Sequence, residues 1–404
     1  MELGLFCLII LINVIESTSS FESDELCSVS NNHMECVCDN YQNFTVNTVI
    51  LEDVNEISIT GCDFVIVPFN ALTNMELSTL EFLNINHLYI MPYAFVAITY
   101  MDFLIFVNIS DFHLQANSFT EVNVGTINLR HISSDLIPSN SFEHFSNAKN
   151  FVISNCHFEQ IQAKSFLLYN ISYFEINFSN LGLLENEAIL IKNSSTIEIF
   201  SNNLNQTNNG SFNLNVVKEL SISGCGFNYL EGGTFIGDDI EVFNFDRNRI
   251  VTMKPEGLLG LIVNKRVIFE NNVIEKIDVN SWGLLSPIAF TRHINVSYCC
   301  NFVNCDCTIS WLWDVLEPEE YDLYLGNSWC LHDLSKNLSE FTVIYDSNRT
   351  CSALVLKSLY EEKSQRSLSS SKANYECHNL KLFNIIAVCL HFLFQKCRNL
   401  FTGI

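Results

Sequence analysis

Bulky apolar residues recur along the chain at a nearly constant interval of 23 or 24 residues. Ten of them form an unbroken series of anchors: Leu72, Phe95, Phe119, Phe142, Phe166, Ile189, Phe212, Phe235, Leu258 and Trp282. A repeat of about 20–50 residues predicts a solenoid or a related array, because each unit can bury its apolar side only against the next unit. We therefore expect one elongated repeat domain.

A short alternating segment precedes each anchor. It holds two apolar residues with one position between them, which predicts a β-strand with one buried face. The pairs are Ile57/Ile59, Leu80/Phe82, Leu104/Phe106, Ile127/Leu129, Phe151/Ile153, Phe174/Ile176, Ile197/Ile199, Leu220/Ile222, Phe243/Phe245 and Val267/Phe269, and an eleventh strand is predicted at Ile294/Val296. The constant spacing predicts that these strands lie side by side.

At the position ten residues before each anchor, we expect a buried polar side chain in every repeat. Side chains at this position would follow one another along the solenoid as a ladder of hydrogen-bonding groups. Its occupants are Cys62, Ile85, Ile109, Ile132, Cys156, Ser179, Asn202, Cys225, Asn248 and Asn272. Asparagine at this position is expected to donate hydrogen bonds to buried loop carbonyls. Because three isoleucines interrupt the ladder, we expect the second to fourth repeats to be the least regular.

The formal net charge of −24 argues against nucleic acid or an anionic membrane surface as the main partner. Only 16% of the residues are charged, so the surface needs another solubilising group. Ten N-x-S/T sequons offer sites for sugar, at Asn43, Asn108, Asn170, Asn177, Asn193, Asn205, Asn209, Asn295, Asn337 and Asn348. They matter only in the secretory pathway.

The N-terminus predicts that the chain enters this pathway. Leu3–Ile15 is nearly all apolar, and Ser17–Ser20 supplies small residues for cleavage, so we interpret Met1–Ser20 as a signal peptide. The only departure is that this segment contains no Lys or Arg. In the oxidising compartment that follows, most cysteines are expected to pair.

Cysteines cluster at both ends of the repeats: Cys27, Cys36 and Cys38 precede them, and Cys305, Cys307, Cys330 and Cys351 follow. With Trp311-Leu312, these clusters resemble the cysteine-rich flanking modules of extracellular leucine-rich-repeat proteins, whose period is about 20–29 residues with one strand per unit. That family usually has four cysteines in its N-terminal flank, and three are found here. Cys62 is either the fourth partner or the ladder residue of the first repeat.

The resemblance implies an α/β-type solenoid. This fold is a horseshoe of ten to eleven repeats, with a parallel β-sheet on its concave face and disulfide-bonded caps. The resemblance also implies the pairs Cys305–Cys330 and Cys307–Cys351. Zinc binding by these four cysteines is the alternative, but a secretory compartment favours disulfides.

The chain divides into six segments in this interpretation. They are the signal peptide (1–20), an N-terminal cysteine-rich cap (21–50), the leucine-rich repeats (51–298), a C-terminal cysteine-rich flanking module (299–351), a Ser-rich linker (352–381) and a hydrophobic tail (382–404). Three interpretations of the tail remain open. Leu382–Phe394 forms a short membrane span, directs the attachment of a lipid anchor near Ser367–Ser371, or packs as an ordinary helix.

No catalytic motif occurs in the chain, so we expect neither enzymatic activity nor a cofactor. Binding through the concave face is the better hypothesis. Leu83, Ile105 and Val107 form an apolar cluster on adjacent predicted strands, with Arg130 beside it, and such a cluster is typical of a protein interface. The alternative is that the register is shifted by one residue and that these side chains belong to the core.

Phe200 is a second exposed aromatic residue of the same predicted face. The sequons at Asn177 and Asn295 also lie there, and sugar at either position would block contact. We expect a protein-binding glycoprotein of the cell surface or the extracellular space, which recognises a protein ligand or co-receptor in adhesion or ligand recognition. Membrane attachment would occur through the tail. The alternative is a secreted structural or matrix component.

Overall fold

The computed structural model describes residues 26–38, 42–46, 54–255, 257–258, 260–278, 281, 294–310, 326–331, 333–338, 341–345 and 351–356. The predicted signal peptide, the anchor Trp282, most of the Ser-rich linker and the hydrophobic tail lie outside these residues. Among the described residues, no helix is both long and apolar enough to cross a membrane.

Each repeat forms one coil of a β-solenoid, with three strand faces separated by three corners. The coil of residues 212–234 has face 3 at 212–215, corner 3 at Val216, face 1 at 219–223, corner 1 at Gly224, face 2 at 226–230 and corner 2 at Gly233. About 11 such coils of about 23 residues follow one another. The period-two alternation of the sequence thus describes face 1, and the other two faces complete the turn.

The described residues form thirty strands, and many of these strands span two faces. The N-terminal end holds β1 (Cys27–Ser30), β2 (His33–Val37) and β3 (Asn43–Thr45). The first coils hold β4 (Glu56–Thr60), β5 (Phe64–Val67), β6 (Leu72–Thr73), β7 (Thr79–Ile90), β8 (Phe95–Val96), β9 (Met101–Leu114), β10 (Phe119–Thr120), β11 (Val124–Ile137), β12 (Phe142–Ser146), β13 (Asn150–Ser154) and β14 (His157–Ile161).

The remaining coils continue in the same order. They hold β15 (Phe166–Asn177), β16 (Asn180–Leu184), β17 (Ile189–Phe200), β18 (Asn203–Thr207), β19 (Phe212–Ser223), β20 (Gly226–Leu230), β21 (Phe235–Asp246), β22 (Arg249–Met253), β23 (Leu261–Glu270), β24 (Val273–Ile277), β25 (Asn295–Cys299) and β26 (Asn301–Val303). The C-terminal end holds a 3-10 helix (Cys307–Ile309), β27 (Ser328–Cys330), β28 (Asp333–Asn337), β29 (Phe341–Tyr345) and β30 (Cys351–Leu356).

Successive coils pair in parallel and in the register that the anchors predict. Phe119, for example, lies between Phe95 and Phe142, and Phe212 lies between Ile189 and Phe235. All nine anchors from Leu72 to Leu258 are buried, as are the apolar pairs of face 1 from Ile57 to Phe269. The predicted solenoid and its register are therefore confirmed.

Stacked aromatic rings fill much of the core. The rings of Phe95, Phe119, Phe142 and Phe166 stack in one column, with centroids 4.3, 4.8 and 4.8 Å apart. This distance matches the spacing of about 4.8 Å between paired strands. A phenylalanine ring that recurs once per coil therefore stacks on the equivalent ring of the next coil. This stacking gives one physical reason for the 32 phenylalanines.

The corners are made by residues in the left-handed conformation. At corner 2, Asn117 has a φ of 60° and its N–H donates to the carbonyl of Asn140, which has a φ of 56° and donates to Lys164 in turn. Half of the described non-glycine residues with positive φ are asparagines. Asparagine tolerates this conformation better than most residues, so the corners give one reason for its frequency in the chain.

The buried ladder is present at corner 1. Asn248 Nδ2 donates to the carbonyl of Ile222 (2.9 Å), and Asn248 Oδ1 accepts from the backbone N–H of Cys225 (2.9 Å). Asn272 makes the equivalent bonds, since its Oδ1 accepts from the backbone N–H of Asn248 and its Nδ2 donates to the carbonyl of Phe245. The backbone N–H of Asn272 in turn donates to Oδ1 of Asn301, an additional rung. The Cys156 and Cys225 thiols hold the same place and donate to backbone carbonyls.

Two expectations are wrong. The α/β class fails because faces 2 and 3 are strands, and the described residues contain almost no helix beyond the 3-10 helix Cys307–Ile309. The second to fourth repeats are not irregular, since β7, β9 and β11 pair without a register shift. At Ile85 the strand continues through corner 1, and the next N–H, that of Asn86, bonds to the carbonyl of Cys62. Backbone pairing thus replaces the side-chain ladder.

Disulfides lie near both ends of the solenoid. Cys27 bonds to Cys36 across the β1–β2 hairpin, and Cys38 bonds to Cys62. Strand β2 pairs in parallel with β4, so the predicted cap is continuous with the first coil. Cys62 fills both roles that the sequence left open, because it occupies the buried ladder position and is also the partner of Cys38.

At the other end, Cys305 bonds to Cys330, as the resemblance implied. The adjacent Cys299 and Cys300 are also joined. Cys307 is disulfide-bonded, and the side chain of Cys351 lies outside the described residues. Residues 352–356, which the sequence assigns to the linker, belong instead to strand β30, which pairs with β29.

Replacing Asn248 by Ala should lower the free energy of unfolding by about 2–6 kcal/mol, since two buried backbone groups, the Ile222 carbonyl and the Cys225 N–H, lose their partners at ~1–3 kcal/mol each. Urea denaturation followed by circular dichroism measures the change. Asn228→Ala on the exposed side of β20 is the matched control. Equal effects of the two substitutions would contradict a structural role for the ladder.

Candidate functional site

The outer side of face 1 carries three rows of side chains in register. On strand β9, the three successive outward positions are Phe103, Ile105 and Val107, all apolar and all at least partly exposed. Leu83 lies beside Val107 on the neighbouring strand β7. These four residues form what we call the apolar patch. The outward orientation of Leu83, Ile105 and Val107 is incompatible with the alternative that they are core residues.

Polar side chains border the apolar patch. Glu81 lies beside Ile105 on one side and Asn128 on the other, while Arg130 is paired with Val107. Arg130 is exposed and so lies at the edge of the patch. An apolar centre with a polar rim is the usual composition of a protein interface.

Phe103 was missed by the sequence reasoning, although it is 46% exposed. It stands one position before the apolar pair Leu104/Phe106, where the pattern analysis did not extend the strand. Strand β9 in fact begins at Met101. The run FLIFV at 103–107 was the available signal, because its alternate residues must point to opposite sides of a strand.

Phe200 belongs to a different part of face 1. The row runs from Val107 through Arg130, Ser154 and Asn177 to Phe200, so four strand spacings of ~4.8 Å place it roughly 19 Å from Val107. Its ring contacts Phe178 edge-on at 5.6 Å between centroids. Leu83, Ile105 and Val107 therefore form one continuous surface, and Phe200 is not part of it.

Two acidic residues lie on face 1 close to Phe200. Glu175 and Glu198 are direct neighbours on β15 and β17. The Tyr173 hydroxyl lies 2.8 Å from Glu175 Oε2 and 2.7 Å from Glu198 Oε2. Burial and these two hydrogen bonds raise the pKa of Tyr173 above its ordinary value, so the hydroxyl remains a proton donor.

Face 2 carries two histidines that are joined through one aspartate. Asp111 Oδ2 lies 2.8 Å from His87 Nδ1, and Asp111 Oδ1 lies 2.8 Å from His113 Nε2. The Tyr89 ring stacks on His113 at 4.3 Å. Because His87 and Asp111 are one repeat apart in the sequence, their spacing could have indicated that they are neighbours in adjacent coils. Among the described residues, no group of three or more His, Cys, Asp or Glu is arranged to hold a metal.

The structure separates the sequons by exposure. The side chains of Asn43, Asn108, Asn170, Asn193, Asn209 and Asn295 are exposed and that of Asn205 is half-buried. Asn177 is buried, with its amide nitrogen against Glu175 Oε1. Asn348 and the side chain of Asn337 lie outside the described residues.

No family model matches the chain, and neither a curated protein nor a solved structure matches it.

The thiols of Cys156 and Cys225 should resist alkylation in the folded protein. Burial raises the pKa of each to about 12, so only about 10⁻⁴ of either thiol is ionised at pH 8. Iodoacetamide treatment followed by mass spectrometry measures the labelling, and the same protein in guanidinium is the control. Native labelling as fast as that of free glutathione would contradict the buried placement.

Asn177 should carry no sugar in the secreted, folded protein, because the folded chain leaves no room for a glycan on its amide. Enzymatic glycan removal in ¹⁸O-labelled water marks each occupied asparagine by mass. Asn170 and Asn193 provide the comparison, since both are exposed. Full occupancy of Asn177 would show that this part of face 1 is misplaced.

Proposed function

We propose that the chain is an extracellular glycoprotein that binds a protein ligand or co-receptor through face 1, in adhesion or ligand recognition at the cell surface. The observation that carries the proposal is the apolar patch, in which three successive outward residues of one strand are apolar. An exposed strand surface of this kind inside a regular polar sheet is typical of a binding surface. A few well-buried anchor residues near the centre supply most of the binding free energy at such surfaces.

The disulfides near both ends support an extracellular location, since an oxidising secretory environment is where such bonds persist. The exposed sequons fit the same compartment. The strand of face 1 and its asparagine ladder support a relationship to leucine-rich repeats, and the three strand faces would then be a variant without helices. Attachment through the hydrophobic tail is part of this proposal.

The test is a substitution in the apolar patch. The secreted chain is tetramerised and screened for binding to an array of extracellular proteins. Ile105→Asp with Val107→Asp should weaken binding to any partner by at least about tenfold, because each lost anchor costs ~1–2 kcal/mol or more. Phe103→Ala should act in the same direction.

Ser221→Asp with Ser223→Asp is the matched control. These serines occupy the same two rows of face 1, five strands further along the solenoid, and should leave binding unchanged. Circular dichroism verifies that each variant is folded. The absence of any saturable partner, or equal binding by both double variants, would refute the proposal.

A further inference from the structure

The apolar patch and its polar rim have an arrangement that can match itself. Strand β9 carries the apolar row Phe103, Ile105 and Val107 along face 1. Glu81 lies beside Ile105 on the strand before β9, and Arg130 lies beside Val107 on the strand after it. An acid on one side of an apolar row and a base on the other side make the two halves of this surface complementary in charge.

The two flanking charges are not neutralised within the chain. None of the ion pairs formed by the described residues includes Glu81 or Arg130. The neighbours of Glu81 within its row of face 1 are uncharged, and so are the neighbours of Arg130 within its own row. Both charges are therefore available to a partner.

Face 1 is flat where it carries the apolar patch. Strand β9 pairs with β7 along faces 1 and 2, and β8 pairs with β10 on face 3. Because paired strands are ~4.8 Å apart on every face, each coil is equally thick all round, and the solenoid has no cause to bend about face 1. A flat sheet surface fits a second flat sheet, as in stacked sheets ~10 Å apart.

We propose that the apolar patch binds a second copy of this chain, through a two-fold axis that runs along β9 between the two faces. The rotation sets Ile105 and Val107 against the same residues of the other copy. It also exchanges the flanking strands, so Glu81 of each copy faces the strand that carries Arg130 of the other copy. This inference rests on the proposed function and deepens it, since the protein ligand becomes another copy of the chain.

The opposite charges come within reach of each other in this arrangement. Glu81 and the Arg130 of the other copy share a position along the solenoid axis and differ by two residues along the strand, which is ~6.8 Å. A long arginine side chain spans such a diagonal, and its aliphatic stem covers Leu83 on the way. A two-fold axis along the solenoid would instead set Glu81 against Glu81, where like charges repel.

The positions around this centre are compatible with the same rotation. Five strands of face 1 take part, namely β4, β7, β9, β11 and β13, and each presents three outward positions. Of these positions only Glu56, Glu81 and Arg130 carry a formal charge. Glu56 faces Asn150 of the other copy, so the rotation brings no two like charges directly opposite each other.

The contact is small, and we expect a weak dimer. Five strands ~4.8 Å apart with five residues ~3.3 Å apart cover about 24 by 17 Å, or roughly 400 Å² per copy. The total of about 800 Å² is below the standard size of a stable interface and is typical of transient association. Many weak contacts act together when the copies stand on two opposed surfaces, which suits adhesion.

Sedimentation equilibrium of the full secreted chain measures self-association, with a dissociation constant expected between about 10⁻⁶ and 10⁻⁴ M. Glu81→Arg alone and Arg130→Glu alone should each weaken the dimer at least tenfold, because both symmetry-related contacts become repulsive. Glu198→Arg is the matched control, since Glu198 lies in the row of Glu81 but outside the five strands. It should leave the dissociation constant unchanged.

A charge exchange tests the two-fold arrangement itself. A mixture of Glu81→Arg and Arg130→Glu chains should form a heterodimer, because each contact again joins opposite charges. The double variant Glu81→Arg/Arg130→Glu should pair with itself and not with the wild type. Energy transfer between chains that carry different fluorophores measures the mixed dimers, and circular dichroism verifies that every variant is folded.

The outcomes separate this inference from the proposed function. Self-association that Glu81→Arg leaves unchanged overturns the inference, as does the absence of a dimer up to about 300 µM, above the range expected for a contact of this size. In either case the proposed function stands if a different protein on the array loses binding to the Ile105→Asp/Val107→Asp variant. If the chain binds neither itself nor any protein on the array, both proposals fail.

Discussion

Hydrogen bonding between successive coils is the constraint on which the whole structure depends. A coil of about 23 residues cannot satisfy its own backbone, because almost every N–H and C=O of its strands points along the solenoid axis toward a neighbour. Each coil must therefore match the next one residue for residue. This demand explains why the anchors recur at 23 or 24 residues and why paired strands rarely change register. It also explains the stacking of identical side chains, since equivalent positions are brought to the strand spacing.

The corners are where this constraint is hardest to meet. Chain direction changes there, and the backbone groups of the turn would be buried without partners. Corner 2 solves the problem with a column of left-handed residues that bond to one another. Corner 1 solves it in two ways. Asn248 and Asn272 satisfy the turn with their side-chain amides, whereas Ile85 and Ile109 leave the strand unbroken and rely on backbone pairing. The Cys38–Cys62 disulfide joins the ladder position of the first coil to the preceding turn of chain.

Because the interior is fixed by stacking, the outer rows of the three faces are free to carry function. Their side chains contribute little to the coil-to-coil match, so an apolar strand surface, an acidic set and a histidine cluster can coexist on one scaffold. Glu175 and Glu198 show the cost of this arrangement. Register places two like charges side by side, with the Tyr173 hydroxyl in contact with both carboxylates. The apolar patch on β9 similarly exposes side chains that burial would favour.

The sequence by itself determined the repeat length, the inward positions of face 1 and the ladder, because each of these depends on local alternation and on a constant interval. It also indicated Leu83, Ile105 and Val107 as outward residues. The tertiary structure alone decided that faces 2 and 3 are strands, since inward residues such as Phe227 and Leu230 are three positions apart and do not show the period of two that marks a strand. Only the structure brought Tyr173, Glu198 and Asn177 together and joined His87 and His113 through Asp111. Contacts between coils depend on which residues share a row, and that is set by the hydrogen-bond register across the solenoid rather than by any one segment.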